Sequence, residues 1–308
     1  MTLFSTILLV AASLAVARAW GPVAHGVMTC KALGGGSLSS CLAPSGPSDQ
    51  YYDVWAATDL PDAAAFGHFN ESADASYLCG NLSYLHSPAF GAFMLSQAPP
   101  VSSFNAVSFS VGFLGHTLGD VVGFWGARNA ASSKGVLCAN NVGPCSGSIR
   151  YISLWHYMTA IDAHLTFQNK INATALPQVA SLPPQSLAWL AAMSQLYNQN
   201  VDPTFAPTTA AAVQACVDFW RVDQETSYRL SMLKTSSAVQ RQALSEEIGF
   251  FTGFSAAKFQ SVLDKQVSCG SHVISAAIAD VNAGVSPLQV FKNAVANTAQ
   301  MYNAGACN

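Results

Sequence analysis

Apolar residues in this chain cluster in long stretches rich in Ala, Leu and Phe, with no sign of the period-two alternation that a half-buried strand would show. Segments 23–32, 89–97, 104–123, 152–169, 187–197, 210–233, 238–250, 256–267, 272–283 and 288–302 read as helices on this ground. Clusters of Gly, Pro and Ser at 34–40, 44–48, 99–103 and 182–185 read as the connections between them. No internal repeat, low-complexity run or linker interrupts the series. The pattern predicts an all-α protein, a single compact multi-helix domain over residues 20–308.

The first residues belong to a different class. Leu3 to Val16 is an apolar run, and Ala17-Arg18-Ala19 follows it as a small-x-small cleavage site. Residues 1–19 therefore read as a secretory signal peptide, and Trp20 becomes the first residue of the exported chain. Beyond that leader no apolar run reaches the roughly 20 residues of a membrane span. The tail from Tyr302 to Asn308 is too short and polar for a lipid-anchor signal.

The chain has 308 residues, 51% of them apolar and only 9% charged, with a formal net charge of −3 that becomes one unit more negative when Arg18 leaves. It carries no basic stripe of the kind that grips nucleic-acid phosphates. That counts only mildly against a nuclease, because a bound metal can itself supply positive charge. The eight cysteines are even in number and form no C-x-x-C pair, which in an exported chain points to disulfides and away from a zinc–thiolate cluster. Cys30–Cys41 and Cys138–Cys145 each close a short Gly/Ser/Pro-rich loop and are the plausible local bridges. Sequons at Asn70, Asn81 and Asn172 fit a secreted glycoprotein.

Two short strings carry chemistry. In Trp20-Gly-Pro-Val-Ala-His25, a free amine and an imidazole stand close together, and both bind metals once deprotonated. Equally, the string fits an ordinary mature terminus that happens to start with Trp. In His116-Thr-Leu-Gly-Asp120 the two side chains are four apart, which on a helix puts both on one face where they can reach one cation. A buried His–Asp hydrogen bond explains that pair just as well.

Taken together, these strings resemble the zinc-dependent phospholipase C superfamily: the bacterial phospholipases C, the phospholipase C/D domain of GPI-specific phospholipase D, and the related single-strand-specific nucleases. Members begin with a Trp that binds zinc through its own amine and carbonyl. They continue with a His, an Asp after a first helix, a further His, and a central helix bearing HxxxD. The resemblance spans roughly residues 20–170. It implies one zinc held by Trp20, His25, Asp62 and Asp120, and a second held by Asp62, His86, His116 and Asp120. Asp62, in Asp59-Leu-Pro-Asp62, is the bridging carboxylate and the group that would orient or deprotonate the attacking water; Asp59 is its runner-up. His86 is favoured over His68, because a sugar on Asn70 would place His68 in an exposed loop.

What the resemblance implies for function is hydrolysis of a phosphodiester, a phospholipid or GPI headgroup that can lie at a membrane surface. Nothing in the chain marks a protein partner. Two other classes stay open: an extracellular single-strand nuclease, for which Phe124, Trp125 and Trp155 could offer stacking platforms, and a non-catalytic metal-binding relative. The third zinc of the family lacks its donors here. Gly126 stands six residues after Asp120 where a His is expected, and Leu154 and Met158 stand where HxxxE would fall. The third site is either lost or rebuilt from His156, Asp162 and His164, which cannot all share one face of a straight helix.

Overall fold

The computed structural model describes residues 21–34, 38–66, 85–99, 104–131, 161–172, 175–218 and 256–307. Trp20, His68, His156, Asn70, Asn81 and the pair Cys138–Cys145 lie outside these residues, as do Leu154 and Met158. The described residues are helical, with no strand among them. In chain order the elements are α1 (Pro22–Leu33), α2 (Leu38–Leu42), α3 (Tyr52–Thr58), α4 (Leu60–Phe66), α5 (Pro88–Gln97) and α6 (Ala106–Ala131). They continue with α7 (161–168), a 3₁₀ turn at Val179–Ser181, α8 (Pro184–Asn200), α9 (210–218), α10 (Ala256–Asn282) and α11 (Pro287–Asn303).

α6 is the axis of the assembly. From Phe109 to Gly123 it is buried on every side, as befits a helix surrounded by others, and it packs against α1, α3, α5, α10 and α11. Its start is fixed by polar groups: Asn105 Oδ1 accepts the Ser108 amide at 3.0 Å, and Asp53 accepts the Asn105 amide at 3.0 Å. α5 begins with Pro88 behind Ser87, whose hydroxyl accepts the Phe90 amide at 3.3 Å. α1 stops at Gly34, whose φ of 69° suits a residue without a Cβ.

Three glycines on one face of α6 let its neighbours come unusually close. A Cβ on Gly112 would meet the Val54 carbonyl oxygen at 2.2 Å, one on Gly115 would meet Thr29 Oγ1 at 2.2 Å, and one on Gly119 would meet His25 Nδ1 at 2.9 Å. The sequence thus brings α3 and α1 onto the helix that carries His116 and Asp120.

Two apolar clusters flank this axis. One joins α1, α10 and α11 with Leu114, Leu118 and Val122 of α6. The other is aromatic, with Phe90 and Tyr197 at 5.5 Å between ring centroids and Phe90 and Phe113 at 5.7 Å. Disulfides Cys30–Cys41 and Cys269–Cys307 tie α1 to α2 and α10 to the segment after α11. No helix among the described residues is long and apolar enough to cross a membrane.

The helix boundaries differ from the sequence reading in three places. α10 runs unbroken through Cys269-Gly270-Ser271, where a break was expected; Gly270 lies against Met28, whose Sδ would be 2.3 Å from a Cβ there, so the glycine serves close helix packing and not a break. Leu38–Leu42 is a short helix inside what reads as a loop, pinned by Cys41. α3 and α4 escaped notice because two seven-residue helices separated by one residue give no sustained period.

Candidate metal centre

His116 and Asp120 lie one turn apart on α6 and are both buried. Three other segments bring partners to them. α1 delivers His25 in its first turn, α4 delivers Asp62 in its first turn, and the residue just before the α5 cap delivers His86. His86 Nε2 is 2.5 Å from Asp120 Oδ2 and 3.2 Å from His116 Nε2. His116 Nε2 is 3.5 Å from Asp120 Oδ2 and 3.6 Å from Asp62 Oδ1. His86 Nδ1 is 4.0 Å from Asp62 Oδ1, and His25 Nε2 is 3.6 Å from Asp120 Oδ1.

These separations suit a metal. Donors at about 2.0–2.2 Å from a tetrahedral ion stand about 3.3–3.6 Å apart, and most of the distances above fall near that range. Two triads have donor atoms within 4.8 Å of one another: His25, His116 and Asp120, and Asp62, His86 and His116. His86 has 14% side-chain exposure against 4% or less for the rest, so the cluster meets solvent on the His86 side.

His25 gives the most direct indication. Its ring is wholly buried and stacks on His116, yet neither nitrogen has a hydrogen-bond partner among the described residues. At 3.6 Å its Nε2 is too far from Asp120 for a good hydrogen bond. Leaving a buried donor or acceptor unsatisfied costs about 1–3 kcal/mol, and a metal ligand role removes that cost. Burial, helped by the neighbouring His116, pushes the His25 pKa down to about 3, so the ring is neutral and keeps a lone pair at ordinary pH. Gly119 completes the fit, since a larger residue there would occupy the space of the His25 ring.

His116 is oriented by its other nitrogen. Nδ1 donates to the Thr58 carbonyl, which fixes the tautomer and leaves Nε2 as the donor facing the cluster. Burial raises the pKa of Asp120, but the hydrogen bond from His86 and the nearby imidazoles outweigh it, so the carboxyl is held below its ordinary value and stays ionised. The described residues can therefore hold a metal ion: imidazoles and carboxylates converge from four separate segments, buried and aimed at one another.

The remaining candidates separate cleanly. Asp59 is buried at the α3–α4 junction but joins neither triad, whereas Asp62 joins one of them. Asp162 does not meet His164. Its Oδ2 and Oδ1 accept the amides of Val23 and Ala24 at 3.2 and 3.0 Å, so it caps the start of α1 from another helix. His164 turns to α10 and hydrogen-bonds Gln260. Neither this capping role nor the Thr58 contact is legible from spacing. The Gly112, Gly115 and Gly119 series at i, i+3 and i+7 is a sequence signal for the close helix contacts, and it was available. No protein-family model, curated protein or solved structure matches the chain.

Proposed function

We propose that this protein is a secreted zinc-dependent phosphodiester hydrolase of the phospholipase C/D type, acting on a phospholipid or GPI headgroup. The observation that carries the reading is the convergence of His25, Asp62, His86, His116 and Asp120 in one buried cluster, with His25 left without a hydrogen-bond partner among the described residues. These are the residues that the family resemblance requires, brought together from four segments. Trp20, the sixth, directly precedes Gly21 in the sequence and lies outside the described residues.

Asp62, His86, His116 and Asp120 would hold one zinc, and His25, Asp62 and Asp120 with the Trp20 amine and carbonyl would hold the other. Bound there, two cations would neutralise the charge that builds on a phosphoryl group during displacement and would acidify the attacking water. The chain's own part is to place and dry the site. Asp62 orients the water and takes its proton. His86, the most exposed member, marks the side from which a headgroup enters. The buried walls of α1, α3 and α6 exclude other water. The disulfides Cys30–Cys41 and Cys269–Cys307 agree with an oxidising compartment.

A second reading, metal binding without catalysis, has a specific observation in its favour. Asp162 is committed to the α1 cap and His164 to Gln260, so neither donor is available to rebuild a third site. One experiment separates the readings. Protein secreted from eukaryotic cells is analysed for metal and assayed on phosphatidylcholine, a GPI-linked protein and single-stranded DNA. Two zincs with turnover of a lipid substrate supports the proposal. Turnover of DNA alone reassigns it to a nuclease, zinc without any turnover leaves the non-catalytic reading, and absence of bound metal overturns both.

A further inference from the structure

The start of α1 is held by a residue far away in sequence, and His25 sits within the turn so held. Gly21, at the cap position, offers no side chain, and no side-chain cap comes from α1 itself. Asp162 supplies one instead, from α7, with each carboxylate oxygen accepting one amide, from Val23 and Ala24. The pair is fully buried. The approach is so close that a Cβ on Gly21 would lie 2.4 Å from Asp162 Oδ2, so Gly at 21 is required by space and not by backbone conformation. His25 follows Ala24 directly. Among the described residues its side chain makes no hydrogen bond; it stacks on His116 at 3.8 Å and faces Asp120 Oδ1 at 3.6 Å.

We infer that Asp162 is a positioning residue for the metal centre: by capping α1 from α7 it sets the place of His25 over His116 and so tunes the metal that His25 binds. The inference rests on the cluster being a metal site, but it goes beyond that reading by assigning Asp162 a role distinct from a rebuilt third zinc site. The physical chain is short. Loss of the cap frees the first turn of α1, the turn carries His25, and among the described residues the His25 ring makes no hydrogen bond that would hold it in place, Asp120 Oδ1 standing 3.6 Å away. Supporting residues of this kind typically govern metal affinity by about 10–100-fold.

The test uses zinc alone as the probe, with affinities measured by competition against a chelating dye on the full secreted chain. Asp162→Ala is expected to weaken the His25-dependent zinc by about 10–100-fold, while the zinc held with His86 keeps its affinity. Asp162→Asn, which can still accept one amide, should fall between the wild type and Asp162→Ala. Gly21→Ala, which pushes the carboxylate away from the other side, should reproduce the Asp162→Ala loss and serves if Asp162→Ala fails to fold. Combined with His25→Ala, Asp162→Ala should add little further loss, because both act on one ion. A purely structural cap would lower melting temperature in all variants with zinc affinity unchanged, or would weaken both ions alike; either result overturns the inference. Wild-type protein that binds no zinc overturns it together with the proposed function, an outcome distinguishable because the wild type itself then fails.

Discussion

His25 and His116 stack face to face, with ring centroids 3.8 Å apart and planes within 23° of parallel, at the crossing of α1 and α6. His116 thus belongs to both donor triads and is also the ring on which His25 rests. Replacing it removes a ligand and also the surface on which His25 rests. His116→Ala is therefore expected to cost more zinc than either His25→Ala or His86→Ala, each of which should lose about one ion. Elemental analysis of the three variants, purified in parallel, checks the order. Equal losses would show that the stack carries no metal-binding weight.

His86 and His68 make a sharper pair. His86 stands 2.5 Å from Asp120 and 3.2 Å from His116. His86→Ala should lower zinc affinity by more than the roughly 10–100-fold typical of outer-shell changes, and His68→Ala should leave it within the error of measurement. Chelator competition on both variants decides. A large loss at His68 would move the ligand assignment from His86 to His68.

Gly119→Ala tests the fit around His25. The new methyl would start 2.9 Å from His25 Nδ1 and 3.0 Å from Met28 Cε, closer than such atoms come. Overpacking of this kind costs about 1–3 kcal/mol, and the ring must shift to accept it. The variant should lose stability in that range and lose the His25-dependent zinc, leaving the other. A stable variant with full zinc content would show that α1 can give way.

Two buried groups predict opposite pH effects on the metal-free protein. Burial pushes Asp162 up to about 7 from 3.8 against the pull of the Val23 and Ala24 amides. The unfolded chain then ionises first, so this contribution is whole below about pH 4 and is lost as pH rises towards 7. His25 is pushed down to about 3 from 6.5. Its contribution is whole above about pH 6.5 and is lost as pH falls towards 3. Denaturant unfolding in chelator resolves the two by difference. Relative to wild type, Asp162→Asn should gain stability as pH rises from about 4 to 7, by on the order of 1–4 kcal/mol. The wild-type advantage over His25→Phe should shrink below pH 6.5. Parallel curves across the range would refute both assignments.

The helical class was legible because long Ala- and Leu-rich stretches without alternation admit little else; the α5 and α11 segments follow their pattern to within a residue, and α6 follows its own at the start but runs eight residues past 123. His116 and Asp120 were legible because i, i+4 spacing survives any packing. The partners of Asp162 and the Thr58 carbonyl were not, since they depend on which helices meet, and a single sequence carries no signal for contacts between residues so far apart in the chain. The packing role of Gly270 likewise depends on Met28, a residue of another helix.

The hydrogen bond from His116 Nδ1 to Thr58 leaves this imidazole one lone pair, yet both donor triads include it. One nitrogen serves one ion at a time. An ion that takes Nε2 together with Asp62 and His86 withdraws it from the His25 side, which must then complete its shell from a donor beyond the triad. Two ions placed there would load in order and unequally: a zinc titration should resolve into a tight first step and a weaker second one, and a chelator should strip them in the reverse order.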